Sequence, residues 1–338
     1  MTRHAALFAF ATLLPAGLIA LAAVQGGVWV IAALLALTLV TTLADRLLPE
    51  DTGRDADATG TTLSVLLALV HLALLALVVW ALAGDAISRL EKVALFFAAG
   101  LYFGQVSNAN AHELIHRPQR TLHRLGMWVY ISLLFGHHTS AHVLVHHRHV
   151  ATYKDPNTSR RGEGFYRYLI RAWAGSFTGG YRAEKERLAR IGRPAWRNPY
   201  WVYLGGGAAF VALAYLLGGT MGMVLYVALA GHAQTQLLLS DYVQHYGLTR
   251  KIREGGKPEP VAAKHSWNSP HLYSSSMLLN ATRHSDHHAR PARAYPALEL
   301  PGDAPVLPRP LPLMASIALV PPLWRRIMDP LTDRWRDA

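Results

Sequence analysis

The sequence predicts an all-α, polytopic membrane protein of about six transmembrane helices beneath a histidine-rich cap. Three observations carry this. Of 338 residues, 51% are hydrophobic and only 16% charged. The apolar residues are gathered into uncharged runs of bilayer-crossing length. The charge is also unevenly placed: net −2 over residues 1–111, +10 over 112–199 (15 basic against 5 acidic) and +4 over 241–338 (13 against 9). Both basic segments directly follow apolar ones, as cytoplasmic loops do, so the overall +12 points to topology and lipid head groups and not to nucleic acid.

The expected spans are residues 5–24, 28–44, 63–83, 93–111, 200–217 and 221–239, within one integral-membrane domain over 1–338. The first could pass for a signal peptide with small residues at Ala20–Ala22, but a second apolar run begins after Gln25-Gly26-Gly27, so a helical hairpin is the better reading. Residues 50–60 form a polar, acidic loop. The fourth span turns polar through Gln105, Ser107, Asn108 and Asn110, groups that must face the interior or a wet cavity. Residues 125–135 are apolar but too few to cross, and 311–324 are interrupted by Pro312, Pro321 and Pro322; both are read as buried or interfacial. Gly218-Gly219-Thr220 turns the last hairpin. Segments 112–199 and 240–338 then share one side, expected to be cytoplasmic.

Four clusters hold nine of the 18 histidines: His112 and His116 in HELIH; His142, His146 and His147; His245; and His284, His287 and His288 in RHSDHH. On a helix, i,i+4 imidazoles share a face, and imidazole suits iron, zinc, copper or nickel. One tetrahedral ion needs about four protein ligands, so nine imply a dinuclear site. There is no cysteine, which excludes disulfides, thiolate ligands, iron–sulfur ligation and cysteine nucleophiles. One two-helix hairpin separates the first two clusters from the last two, so all four emerge on one face.

HELIH alone fits the H-E-x-x-H pattern of zinc proteases, a remote alternative, since a protease needs one more ligand and not seven more histidines. A proton- or metal-conducting membrane protein is the non-enzymatic alternative; against it, only His71 and His232 lie within spans.

The stretches AHELIHR, HVLVHH followed by RHVATYKDPNTSR, DYVQHYGL and RHSDHHARP resemble, in order and spacing, the four histidine motifs of the membrane alkane hydroxylases, within the desaturase-like membrane di-iron enzymes. The resemblance runs over residues 112–291, and its HYGL and RHSDHH pieces are the specific ones. It implies that all nine histidines bind two iron ions in a cytoplasmic di-iron cap. Departures lie beside the ligands: Ala141 and Val145 where the family has Glu and Gly, Asp241 and Gln244 where it has Asn and Glu, and Thr282 where it has Gln. Glu113, Asp241, Gln244 and Asp286 are candidates to orient the histidines; His137, His138, His149, His265 and His271 are not expected to be ligands.

What the resemblance implies is a bacterial inner-membrane monooxygenase that uses O2 to hydroxylate the terminal methyl of an n-alkane or related alkyl chain drawn from the bilayer. A fatty-acyl desaturase or hydroxylase and an alkyl-aromatic methyl monooxygenase are the alternatives. The chain shows no flavin, haem or nicotinamide fingerprint, so electrons are expected from rubredoxin and its reductase. Arg117, Arg120, Arg124, Arg148, Arg160 and Arg161 are the candidate docking surface for that acidic partner. His71, Trp80 and Phe103 are weighed as tunnel residues, with lipid contact or packing favoured for each.

Overall fold

In a bilayer the backbone has no water to bond, so long aliphatic runs close their hydrogen bonds internally as helices. The computed structural model describes residues 3–50 and 60–337. The acidic loop read over 50–60 lies, but for its two ends, outside them. Helices α1 (Arg3–Gln25) and α2 (Val28–Leu47) form a hairpin turned by Gly26 and Gly27 at φ of 62° and 58°, where a side chain would be strained. Next come α3 (Thr61–Ala83), α4 (residues 89–115), α5 (Arg120–Ser132), α6 (residues 138–149) and α7 (Phe165–Arg190). The chain continues through α8 (Tyr200–His245), α9 (Leu272–Met277), α10 (His284–Ala289), α11 (Leu311–Ala318) and α12 (Pro321–Asp337). Among the described residues there is no strand, only two isolated bridges.

Four of these helices, α1, α2, α3 and the 46-residue α8, are long and apolar enough to cross a membrane. Inside α8, Gly218 and Gly219 leave helical geometry (φ −149° and +61°). A Cβ on Gly222 would lie 2.7 Å from the carbonyl of Ala214, eight residues earlier, whereas a straight helix would hold those residues about 12 Å apart. The chain therefore doubles back, as the glycine pair predicts. Both arms pack on α5: Tyr203 lies against Ile131, while Gln234 Nε2 donates to the Leu133 carbonyl at 2.8 Å.

Helix α4 starts with a reciprocal cap in which Ser88 and Glu91 satisfy each other's backbone. Glu91 also accepts from Gly27 N at 2.5 Å, tying the α1–α2 turn to this helix. The 13-residue α5 is too short to span; it packs on α4, where Gly126 lies under Ala111 and Leu114. His71 of α3 bonds Ser107 through Nδ1 at 2.9 Å and Ser132 through Nε2 at 2.8 Å, pinning three helices together. It is a packing residue.

The cap is laid over the ends of these helices. α7 buries one stripe at helical spacing, Phe165, Tyr168, Ala172, Ser176, Gly180, Glu184 and Leu188. Gly180 brings that stripe against Ala141 of α6, where an added Cβ would stand 3.1 Å from the Ala141 Cβ. The apolar stretch 311–324 is split by its prolines into α11 and the start of α12, so it does not span as a helix. Trp324 of α12, fully buried, packs on Tyr242 and Tyr246 with ring centroids 5.4 and 5.2 Å apart. Burial of such a side chain is worth about 1.5–3 kcal/mol, and here it fixes the end of α8 that carries His245. Asp45 of α2 accepts from Tyr273 N and Ser274 N at 3.0 and 2.9 Å, capping α9 from a distant part of the chain.

Candidate metal centre

His112 sits on the last turn of α4 and His116 at its C-cap, His142, His146 and His147 on α6, His245 on the last turn of α8, and His284, His287 and His288 on α10. A π turn spans 142–146. It adds a residue to one turn of helix, so positions five apart come into line. His142 and His147 consequently meet, Nε2 to Nε2, at 2.9 Å, and His146 is turned away. The i,i+4 pairing expected of His142 and His146 is thus overridden by the local helix type.

The nine residues gather into two abutting groups. His112, His116, His142, His147 and His287 form one; His146, His245, His284 and His288 form the other, with ring nitrogens in each group within 4.8 Å of one another. Nε2 separations are 2.8 Å for His112–His142, 3.1 Å for His147–His287, 2.9 Å for His245–His284 and 3.1 Å for His284–His288. The groups touch through His147 and His288, whose centroids are 4.7 Å apart. His137, His138, His149, His265 and His271 belong to neither, although His138 packs 5.0 Å from His142.

These rings fit a metal. Burial pushes His112 down to about 3, and burial with neighbouring imidazoles holds His116, His142, His147, His284, His287 and His288 well below the usual histidine range. Neutral rings keep a lone pair for coordination. The buried Nε2 atoms of His116 and His146 have no hydrogen-bond partner, an anomaly in a protein interior that an ion among the rings would remove. Spacings of 2.8–3.1 Å suit neighbouring nitrogens that each lie about 2.1 Å from a shared ion.

His146 differs. Burial disfavours its charged form, but the buried Asp155 carboxylate, with a lesser contribution from Asp241, raises its affinity for a proton. Asp155 Oδ2 stands 2.9 Å from His146 Nδ1 and accepts from Thr158 Oγ1 at 2.8 Å. It orients the ring so that Nε2 faces the cluster. Sequence reasoning missed Asp155; the available signal was a carboxylate in a D-P-N turn a few residues after the His146-His147 pair.

The expected orienting residues are distributed otherwise. Asp241 Oδ2 accepts from Asn157 Nδ2 at 2.6 Å, bracing the turn that holds Asp155. Gln244 donates to the Ala281 carbonyl at 2.9 Å, next to the approach to α10. Glu113 pairs with Arg117 at 2.6 Å and Asp286 with Arg290 and Arg293 at 2.9 and 2.8 Å, so both carboxylates secure the cap around the histidines. Ala141 and Val145 face Gly180 and Gly179 of α7, where small side chains permit close helix approach. Arg120, Arg124, Arg148, Arg160 and Arg161 are exposed; Arg117 is engaged with Glu113, and Arg161 pairs with Asp333 at 2.5 Å.

A cavity opens beside the two groups, with an empty volume of about 1040 Å³ counting the part open to its surroundings. One histidine of each group, His112 and His284, lines it, as does His138. Its walls are α4, the second arm of α8, and α11. His71, Trp80 and Phe103 do not line it.

Fold and site together define an all-helical integral membrane protein with a double histidine cluster beside a chamber among its helices. The fatty acid desaturase family matches residues 91–304. Alkane 1-monooxygenase 2 of Pseudomonas aeruginosa is 35% identical over 235 residues, 69% of this chain and 62% of that protein. Alkane 1-monooxygenase of Ectopseudomonas oleovorans is 34% identical over 273 residues, 79% of this chain and 67% of the relative. The xylene/toluene monooxygenase hydroxylase component XylM of Pseudomonas putida is 28% identical over 218 residues, 63% of this chain and 57% of that one. The chain thus belongs to the fatty acid desaturase family, on its alkane hydroxylase branch. It spans 62% and 64% of the two Pseudomonas aeruginosa alkane 1-monooxygenases that it matches.

Proposed function

We propose that the protein is a di-iron monooxygenase that hydroxylates the terminal methyl of an alkyl chain. The observation that carries this reading is the pair of all-nitrogen histidine groups, five and four strong, each presenting one ring to a chamber among membrane helices. His112, His116, His142, His147 and His287 would hold one iron; His146, His245, His284 and His288 would hold the other. Bound there, the iron pair would supply O2 activation and abstraction of hydrogen from an unreactive C–H bond. The names of the alkane 1-monooxygenase and XylM relatives support the reaction class.

This chain's own residues do the rest. The walls of α4, α8 and α11 admit a chain from the bilayer and exclude bulk water, so that a methyl group reaches the interval between His112 and His284 without crossing an aqueous phase. Asp155 fixes the tautomer of His146, and Asp241 steadies Asp155 through Asn157. The chain has no cysteine for an iron–sulfur cluster, so the electrons come from a separate donor. We take that donor to be rubredoxin, served by its reductase and docking on the exposed Arg120, Arg124, Arg148, Arg160 and Arg161. We infer from the basic segments that the centre faces the cytoplasm, which agrees with a protein of a bacterial inner membrane.

The test is metal analysis of the purified protein together with mass spectrometry of products from cells fed n-alkanes of graded length, xylene and fatty acid methyl esters. Two irons per chain and primary alcohols from alkanes are expected. A single zinc in an active preparation would indicate the protease, olefins alone a desaturase, and products from xylene only an aromatic-methyl oxygenase.

A further inference from the structure

Helix α7 carries two apolar stripes, and the protein uses only one of them for its own packing. On the inner side Phe165 and Tyr168 pack on Tyr242 of α8, and Tyr168 and Ser176 bond Asn157 in the turn that holds Asp155. The other stripe is Tyr166, Ile170, Trp173, Phe177 and Tyr181, which at about 100° per residue falls within roughly 80° of arc. Ile170 is 74% exposed and Tyr166 56%, and Trp173 and Tyr181 are exposed too. Arg167, Arg171, Arg182 and Lys185 occupy an adjoining arc of about 60°. Aromatic and aliphatic side chains exposed over about four turns, with cations along one edge, are the pattern of a helix that lies in a membrane–water boundary.

Helix α8 serves as a ruler for where that boundary falls. Its Gly218-Gly219 turn packs against Ala83, next to the Asp85–Lys92 ion pair, and so marks the far side of the hydrocarbon. From Gly219, Gln234 is about 23 Å along the second arm and Tyr242 about 35 Å, whereas the hydrocarbon of a bilayer is about 30 Å thick. Helix α7 touches both levels: Trp173 Nε1 donates to Gln234 Oε1 at 2.8 Å, and Phe165 meets Tyr242 with ring centroids 5.6 Å apart. On the first arm Tyr200, about 27 Å from Gly218, donates its hydroxyl to the Phe177 carbonyl at 2.8 Å. The helix therefore lies at the depth where α8 leaves the hydrocarbon, on the side of the histidines.

We propose that α7 is an in-plane membrane helix, with the stripe from Tyr166 to Tyr181 in lipid and its cations at the head groups, and that the chamber opens into the leaflet beneath it. The basic segment 112–199 is thus not wholly aqueous. The same stripe holds two of the chamber walls. Gln234, which Trp173 bonds, lies between the lining residues His232 and Gln236. Tyr166 donates to the carbonyl of Leu319 at 2.9 Å, and Leu319 and Ser316 line the chamber while remaining exposed. The position of α7 is independent of the monooxygenase reading; the opening deepens that reading by naming the lipid layer from which an alkyl chain is drawn.

The chain has no cysteine, so single introduced cysteines can carry a nitroxide in the full-length protein in lipid nanodiscs. Ile170→Cys and Tyr181→Cys probe the stripe, Ser316→Cys the opening and Lys185→Cys the polar face. Val227→Cys, on the exposed side of α8 about 12 Å from its turn, probes the bilayer interior. Power saturation compares collisions with O2, which concentrates in lipid, and with a nickel chelate confined to water. Labels at 170, 181 and 316 are expected to show an oxygen-to-nickel ratio several-fold above that at 185 and below that at 227. Labels at 170 and 181 as open to nickel as the one at 185, or as sheltered as the one at 227, overturn the in-plane helix. Nickel access at 316 with 170 and 181 in lipid overturns the opening into the leaflet and leaves the helix standing. Neither iron nor turnover enters the measurement, so failure here leaves the monooxygenase reading as it is.

Discussion

His142 and His147 face each other, Nε2 to Nε2, at 2.9 Å although five residues separate them. Ordinary α-helical spacing would place them about 140° apart around the axis. The π turn between them removes that angle and sends His146 to the other cluster. Deleting Val143, which faces outward, makes His142 and His147 i,i+4 neighbours, about 40° apart on an ordinary α-helix, so the extra residue and its π turn are removed together and the rings stay in line. Metal content and helicity, read by circular dichroism, are expected to stay near wild type. Loss of metal in the deletion would refute the reading of the turn as an insertion that serves to align the rings.

Single alanine substitutions at the nine histidines are expected to abolish oxygenation and to lower iron from two per chain. His146→Ala, His245→Ala, His284→Ala and His288→Ala strip the same group of four, and they should share one metal-loss pattern distinct from that of the other five. Elemental analysis of matched preparations checks this.

Asp155→Asn keeps the shape of the side chain that meets His146 Nδ1 at 2.9 Å but removes its charge. Second-layer carboxylates typically contribute between about 10- and 100-fold in metal affinity. The variant should therefore lose iron to a chelator faster by a factor in that range. Asp286→Asn, whose carboxylate bonds arginines and not the rings, should lose it far less readily.

Asp45→Ala removes the acceptor for two backbone amides at the start of α9. A lost cap costs about 0.5–2 kcal/mol, so the expected result is a lower thermal unfolding midpoint in detergent with iron stoichiometry unchanged.

Arg120 and Arg124 are exposed on α5. Reversing both to glutamate is expected to slow turnover at limiting rubredoxin and to flatten its dependence on salt, with little change at saturating donor. Turnover indifferent to both salt and charge reversal would exclude these arginines from docking.

The membrane class and the α8 hairpin were legible because they depend on local properties: run length, charge asymmetry and the Gly218-Gly219 break. The nine histidines stood out by their spacing for the same reason. Their division into five and four was not legible, since it depends on a π turn whose residues, HVLVH, look like any apolar helix. Asp155 escaped because its partner is set by how the loop folds back, and Glu113 and Asp286 were attractive by proximity in sequence but turn to arginines. The chamber needed α11 in place, and no periodicity announces that a proline-bounded segment of 311–324 will wall a cavity on α8.

The histidines that meet are far apart along the chain: His147 and His287, 3.1 Å from each other, are separated by 140 residues. At ordinary rates of protein synthesis that interval takes on the order of ten seconds to traverse. For most of it the nascent protein has only the ligands of α4 and α6, and the second group has His146 alone until His245 follows at the end of α8. Neither group is complete until α10 has left the ribosome, and the group of four gains two of its four ligands, His284 and His288, only then.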